Sequence, residues 1–144
     1  MSMDYYVAFR RSPGLSSFKN PDPQYGTVAG EATMDASKWA EFVEKNKQIL
    51  TWFDDTSVGR LIQQDPQHAS KDRLGRKTAY GEYDKKHDHY RFILDLYEYY
   101  IQVSFDGMMP NKKCLLLCLE LATHMGAKLF KLGREVKEQS IVDM

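Results

Sequence analysis

His87 and His89 flank Asp88, with Asp84 and His68 close by in the chain. Alternate residues of a strand point the same way, so two imidazoles here could meet one metal ion. With Asp84, His87 and His89 as a cluster, that ion would activate water, and the chain would be a small metal-dependent hydrolase. A structural or catalytic zinc needs a third and usually a fourth ligand, which this spacing does not supply. The plainer reading is a charged hairpin tip, and no metal or cofactor is expected.

Asp54-Asp55, Asp95 and Glu98 are the carboxylates to weigh for acid–base work. That role needs a cleft and a shifted pKa, and Asp54-Asp55, directly after a helical pattern, reads more simply as a solvated turn. Cys114 and Cys118 sit four apart in a helical pattern and share one face. Adjacent helical turns rarely allow a disulfide, so both read as small buried residues in a reducing compartment. His124 falls in the last turn of the same pattern, where the helix dipole favours an imidazolium. Lys112-Lys113 open it, where cations oppose the dipole, which fits either an exposed turn or an acidic partner. No G-x-S-x-G, H-E-x-x-H or P-loop pattern occurs.

Tyrosines offer a stronger signal. Tyr80, Tyr83, Tyr90, Tyr97, Tyr99 and Tyr100, with Phe92, are interleaved with Glu82, Asp84, Asp88, Asp95 and Glu98. Tyrosine combines contact area with a polar tip and is enriched at interfaces, although part of this set must line a sheet core. Tyr83, Asp84, Asp88, Tyr97, Glu98 and Tyr99 are the expected partner-binding residues, and the acidic interleaving suits a basic partner surface.

The elements that must carry these groups are legible in outline. Asp4 to Arg10 predicts a strand, and Ser12 to Gly30 a loop broken by Pro13-Gly14 and Asn20-Pro21-Asp22-Pro23. A brief strand is expected at Gly26 to Met34. Asp35 is a good N-cap, with Met34 and Trp39 placed for a hydrophobic staple. Trp39, Phe42, Val43, Ile49, Leu50 and Phe53 then recur at near-helical spacing.

Val58, Leu61 and Ile62 supply one short element at most, and Thr78 to Tyr83 reads as a strand leading into Lys85 to His89. Tyr90, Phe92, Leu94 and Leu96 alternate, and the phase flips after Glu98, which favours two strands meeting at a corner. Pro110 and Asn111 precede a helix that is apolar nearly all round and stops at Gly126. Leu129, Leu132 and Val136 are assigned to one closing strand, and Lys137 to Met144 to a frayed tail.

The chain of 144 residues predicts one domain, with 42% hydrophobic and 28% charged residues. The element order gives an α+β fold, a mixed or antiparallel sheet packed on one face by two helices. A formal net charge of zero weighs against nucleic-acid binding. No membrane-spanning run is present, and Tyr5 to Phe9, closed by Arg10 and Arg11, is too short for a secretory leader. The expectation is a cytoplasmic protein, a monomer or a homodimer.

Two blocks carry a resemblance. MDASKWAEFVEKN (residues 34–46) and LATHMGAKLFKLGREV (residues 121–136), the latter a helix end followed by a Gly-Ala and a strand, resemble small bacterial immunity proteins. Such proteins accompany polymorphic or type VI-type secreted toxins and block the cognate toxin in the producing cell. The resemblance implies a non-enzymatic inhibitor whose partner is a toxin protein, and implies no particular inhibitory residues.

Overall fold

The structure, a computed structural model, describes residues 3–10, 32–65, 67, 71–105 and 110–144. Seven strands build one sheet: β1 (Met3–Ala8), β2 (Leu50–Trp52), β3 (Thr78–Asp84), β4 (His89–Leu96), β5 (Tyr100–Phe105), β6 (Lys128–Lys131) and β7 (Arg134–Val136). Their spatial order is β2-β3-β4-β5-β1-β6-β7, and every pairing is antiparallel. The helices are α1 (Ala36–Lys45), α2 (Ser57–Gln63), α3 (Lys112–His124) and α4 (Glu138–Val142). This is the expected α+β fold.

Period-two alternation sends one row of each strand under the helices. Tyr5, Val7, Phe92, Leu94, Ile101, Val103, Phe105 and Leu129 form that row, and α1 and α3 cover it with Trp39, Phe42, Val43, Leu115, Cys118 and Leu121. The N-cap of α1 is as expected: the Asp35 carboxylate accepts from the amides of Ser37 at 2.8 Å and Lys38 at 3.2 Å. Met34 and Trp39 are both buried in the same core.

α1 is shorter than its apolar spacing predicts. It closes at Lys45, where the Asn46 side chain donates to the Phe42 carbonyl at 2.8 Å. Leu50 and Trp52 continue the core row from a strand instead, with Thr51 between them half-exposed. Spacings of three, four and seven residues served both readings, and the sheet edge beside β3 decided between them.

α3 buries Cys114, Leu115, Leu117, Cys118, Leu121 and Ala122, while Glu120 is exposed. Its first-turn cation also finds a use: Lys112 donates from Nζ to the Val142 carbonyl at 3.0 Å, at the negative end of α4. Of the apolar trio Val58, Leu61 and Ile62, only Ile62 is buried, on α2. The expected loop from Ser12 to Gly30 lies outside the described residues, as does most of the strand expected at Gly26 to Met34.

The phase flip after Glu98 is a corner between β4 and β5, as favoured from the sequence. Two other expectations are corrected. The closing strand is a hairpin, turned by Leu132 at φ 50° and Gly133 at φ 75°. Positive φ at both central residues is the turn type that matches strand twist, and Asn-Gly is its usual sequence. Leu132 therefore holds a left-handed backbone and is also 88% exposed. The tail is not frayed either, since α4 docks on α3 with Ile141 at 0% exposure.

Replacing Leu132→Asn should stabilise the protein by about 1 kcal/mol in urea unfolding, because asparagine tolerates the left-handed conformation. A loss of stability would show that the turn does not hold that geometry. Ile141→Ala should cost about 3 kcal/mol, as for a fully buried aliphatic side chain. A change under about 0.5 kcal/mol, typical of exposed sites, would return residues 137–144 to a loose tail.

Candidate functional site

The β3–β4 hairpin is set by a close approach. Gly81 lies opposite Phe92, and a Cβ at Gly81 would fall 2.1 Å from the Phe92 ring. One residue later Glu82 takes φ 50° and donates its amide to the Ile49 carbonyl at 2.8 Å. That left-handed step turns Tyr83 to the side of the sheet that holds Tyr80. Both rings meet Tyr90, at 5.2 Å from Tyr80 and 5.1 Å from Tyr83, and Tyr80 also meets Phe53 at 5.5 Å.

Beyond Tyr83 the tip is ordered by its own acids. Asp84 accepts from the Lys86 amide at 3.0 Å, the His87 amide at 3.4 Å and His87 Nδ1 at 2.8 Å. The His87 bond, more than any other influence, holds the Asp84 carboxyl below the usual range. Arg91 bridges Asp84 at 3.5 Å and Glu82 at 3.0 Å. Asp88, at φ 52°, accepts a hydrogen bond from the Tyr83 hydroxyl, which raises the phenol's pKa. Tyr83 stays 47% exposed.

The tip therefore presents a fixed aromatic ring beside the exposed Lys85, Lys86 and His87. Asp84 is engaged with the loop's own donors, whereas Asp88 accepts from Tyr83 and stays exposed.

The histidine cluster takes its place in the same hairpin. His87 and His89 have ring centroids 5.9 Å apart, edge to face, and His87 Nδ1 is bonded to Asp84. Among the described residues, no three His, Cys, Asp or Glu side chains converge so as to hold a metal ion. His68 lies outside those residues.

The structure separates the six expected partner-binding residues. Tyr83, Asp84 and Asp88 share the hairpin tip, whereas Tyr97, Glu98 and Tyr99 form the corner at the other end of β4. The eight residues of β4 put about 25 Å between the two groups. Tyr97 stacks on Tyr100 at 4.8 Å, the Glu98 carbonyl accepts from the Met34 amide at 2.8 Å, and Tyr99 is only 8% exposed. These are corner-forming contacts.

Other candidate groups have structural roles. Asp54 clamps the β3 approach by accepting from the amides of Gly75 at 2.8 Å and Arg76 at 3.1 Å. Asp55 lies 3.8 Å from the Arg76 guanidinium, which also covers the Trp52 ring at 5.0 Å. Cys114 and Cys118 are free and buried. Burial first, then the thiol's bond to Glu82 at 3.1 Å, pushes Cys114 up to about 12, and burial also raises Cys118. Neither is a nucleophile near neutral pH. His124 Nε2 lies 3.0 Å from the Lys38 carbonyl, tying α3 to α1.

Sequence reasoning missed three features. One is the exposed, left-handed Leu132. Another is an open groove of about 690 Å³ between α1 and α3, lined by Phe42, Asn46, Leu119, Glu120 and His124. Its half-polar lining gives no signature in the chain. The third is the burial of Asp95, one of the carboxylates weighed above, which is 8% exposed and accepts from the Thr78 hydroxyl at 2.7 Å. Burial raises its pKa against the opposing Thr78 bond.

No protein family matches this chain, and neither does any curated protein or solved structure. No helix among the described residues is long and apolar enough to cross a membrane.

With its pKa raised in the folded state, Asp95 is protonated more readily there than in the unfolded chain. Its contribution to stability is therefore most favourable below the unfolded pKa and declines as pH rises through the raised folded value. Asp95→Asn keeps an acceptor for Thr78 without the charge. It should raise Tm at pH 7 and flatten the pH dependence above pH 4 relative to the parent protein. Equal Tm at pH 7, with the slope intact, would mean that Asp95 carries no penalty.

Proposed function

We propose that this protein is a non-enzymatic, immunity-type inhibitor that binds a cognate secreted bacterial toxin in the cytoplasm of the producing cell. The observation that carries this reading is the pre-ordered β3–β4 tip, where Asp84 and Asp88 fix the loop around a half-exposed Tyr83. A rigid aromatic anchor gives up little conformational entropy on association, which is what a tight stoichiometric inhibitor requires. The two sequence blocks that resemble small immunity proteins support the same reading. The competing reading, a metal-dependent hydrolase, has only the paired Asp84 and His87 with His89 beside them.

The test is capture of the untagged protein from its own cells, with the identity and stoichiometry of whatever accompanies it. The expected result is one protein at about equal amounts, toxic when expressed alone and harmless when this chain is co-expressed. A chain that retains stoichiometric zinc, loses it in the His87→Ala/His89→Ala double variant and turns over a substrate would replace this reading with the hydrolase.

A further inference from the structure

Leu132 is anomalous in two independent respects. Its backbone is left-handed at φ 50°, a conformation that a branched aliphatic side chain adopts at a cost, and its side chain is 88% exposed. The two-residue turn needs that backbone, but asparagine would meet it at less cost, so the turn does not account for a leucine side chain held in solvent.

The sheet register says where this residue stands. Four successive antiparallel pairings separate β3 from β6, so the two strands run in the same direction. The β3–β4 and β6–β7 turns consequently project from the same end of the sheet. β5 and β1 lie between the two hairpins, and strand spacing puts the tips about 20 Å apart. The pairing of Gly81 with Phe92, Phe92 with Phe105 and Phe105 with Met3 marks one row across the sheet. The Tyr6–Phe130 register of β1 and β6, carried three residues back to Met3, sets that row level with the β6–β7 turn. The β3–β4 hairpin extends roughly 13 Å beyond it, so the two tips form a tall and a short prong. A standard protein interface, roughly 30 Å across on each partner, spans both.

Both prongs carry exposed cations, beside the exposed carboxylates of Asp88 and Glu135. Asp84 and Asp88 are engaged within the tall tip, and Glu135 is 3.5 Å from Lys128 on the short hairpin. Lys85 and Lys86 remain exposed on one prong and Arg134 on the other, directly after the Leu132-Gly133 turn.

We propose that this end of the sheet is a two-pronged docking edge, in which Leu132 enters an apolar pocket with an acidic rim on a protein partner while Tyr83 contacts the same partner. The proposal rests on the inhibitor reading above, and it reverses the charge expected of the partner's surface. It also accounts for a leucine where asparagine would suit the turn.

The experiment places a photo-crosslinking amino acid separately at positions 83, 132 and 120 of the full chain in its own cells. Position 120, on α3, is the control. Positions 83 and 132 should crosslink to one and the same protein, through peptides rich in Asp and Glu, and position 120 should not. With that protein purified, Leu132→Asn should weaken binding at least tenfold while the variant's Tm rises, so the loss is not unfolding. Arg134→Glu should weaken binding further at low salt than at high salt. A partner that crosslinks from 83 alone or from 120, or that binds Leu132→Asn as tightly as the parent, overturns the docking edge and leaves the inhibitor reading standing. Lipid crosslinks at 132 would replace the protein partner with a membrane surface. No crosslinked protein from any position overturns both readings.

Discussion

The close approach of Phe92 to the backbone of Gly81 is the constraint on which the rest of the sheet depends. With a ring lying where a Cβ would otherwise stand, β3 and β4 can pair in one register only. The ring then continues a line of aromatic contacts under the helices, to Phe105 at 5.3 Å and from there to Tyr5 at 5.8 Å. That line crosses four adjacent strands, so a slip at Gly81 would be felt as far as β1. It also fixes how far the β3–β4 hairpin extends past the common row, and hence the height of the tip that carries Tyr83.

Given that row, the polar chemistry of the molecule is used mostly to hold backbone in place. Asp54 secures the turn before β3, Asp84 orders the hairpin tip, Asp35 starts α1 and Asn111 starts α3. The Cys114 thiol is bonded to Glu82, which in turn holds Arg91. Asp54, Asp84, His87 and Cys114, which in isolation suggest acid–base, metal or nucleophilic chemistry, are thus committed to local hydrogen bonds. The hairpin end presents an aromatic ring, an aliphatic side chain and exposed charged groups, which are means of recognition.

Much of the fold was legible in the chain because its signals were local. The Asp35 cap, the alternation in β4 and β5, and the stop of α3 at Gly126 each depend on neighbours within a few residues. The errors arose where tertiary contacts decided. Ile49, Leu50 and Phe53 fit a longer helix until the β3 edge drew Leu50 into a strand. Lys137 to Met144 is polar enough to suggest fraying, yet the buried Ile141 and the Lys112 bond to the Val142 carbonyl dock α4 on α3. The six expected partner-binding residues fall into two groups for a similar reason: Tyr83 and Tyr97 look adjacent in composition, but a full-length strand separates them. The left-handed step at Glu82, which brings Tyr83 beside Tyr90, has no sequence mark at all. Leu132 did not stand out because a lone leucine near a strand reads as core, and only the two-residue turn exposes it.

The central claim is that this protein works by binding, through the sheet end that bears the β3–β4 and β6–β7 hairpins. Hydrogen–deuterium exchange of the chain, alone and saturated with the protein captured at equal stoichiometry, addresses it most directly. The account predicts slowed exchange confined to residues 82–90 and 130–135, with the β4–β5 corner at residues 97–99 unchanged. Protection centred on that corner, or on the groove between α1 and α3, would contradict it.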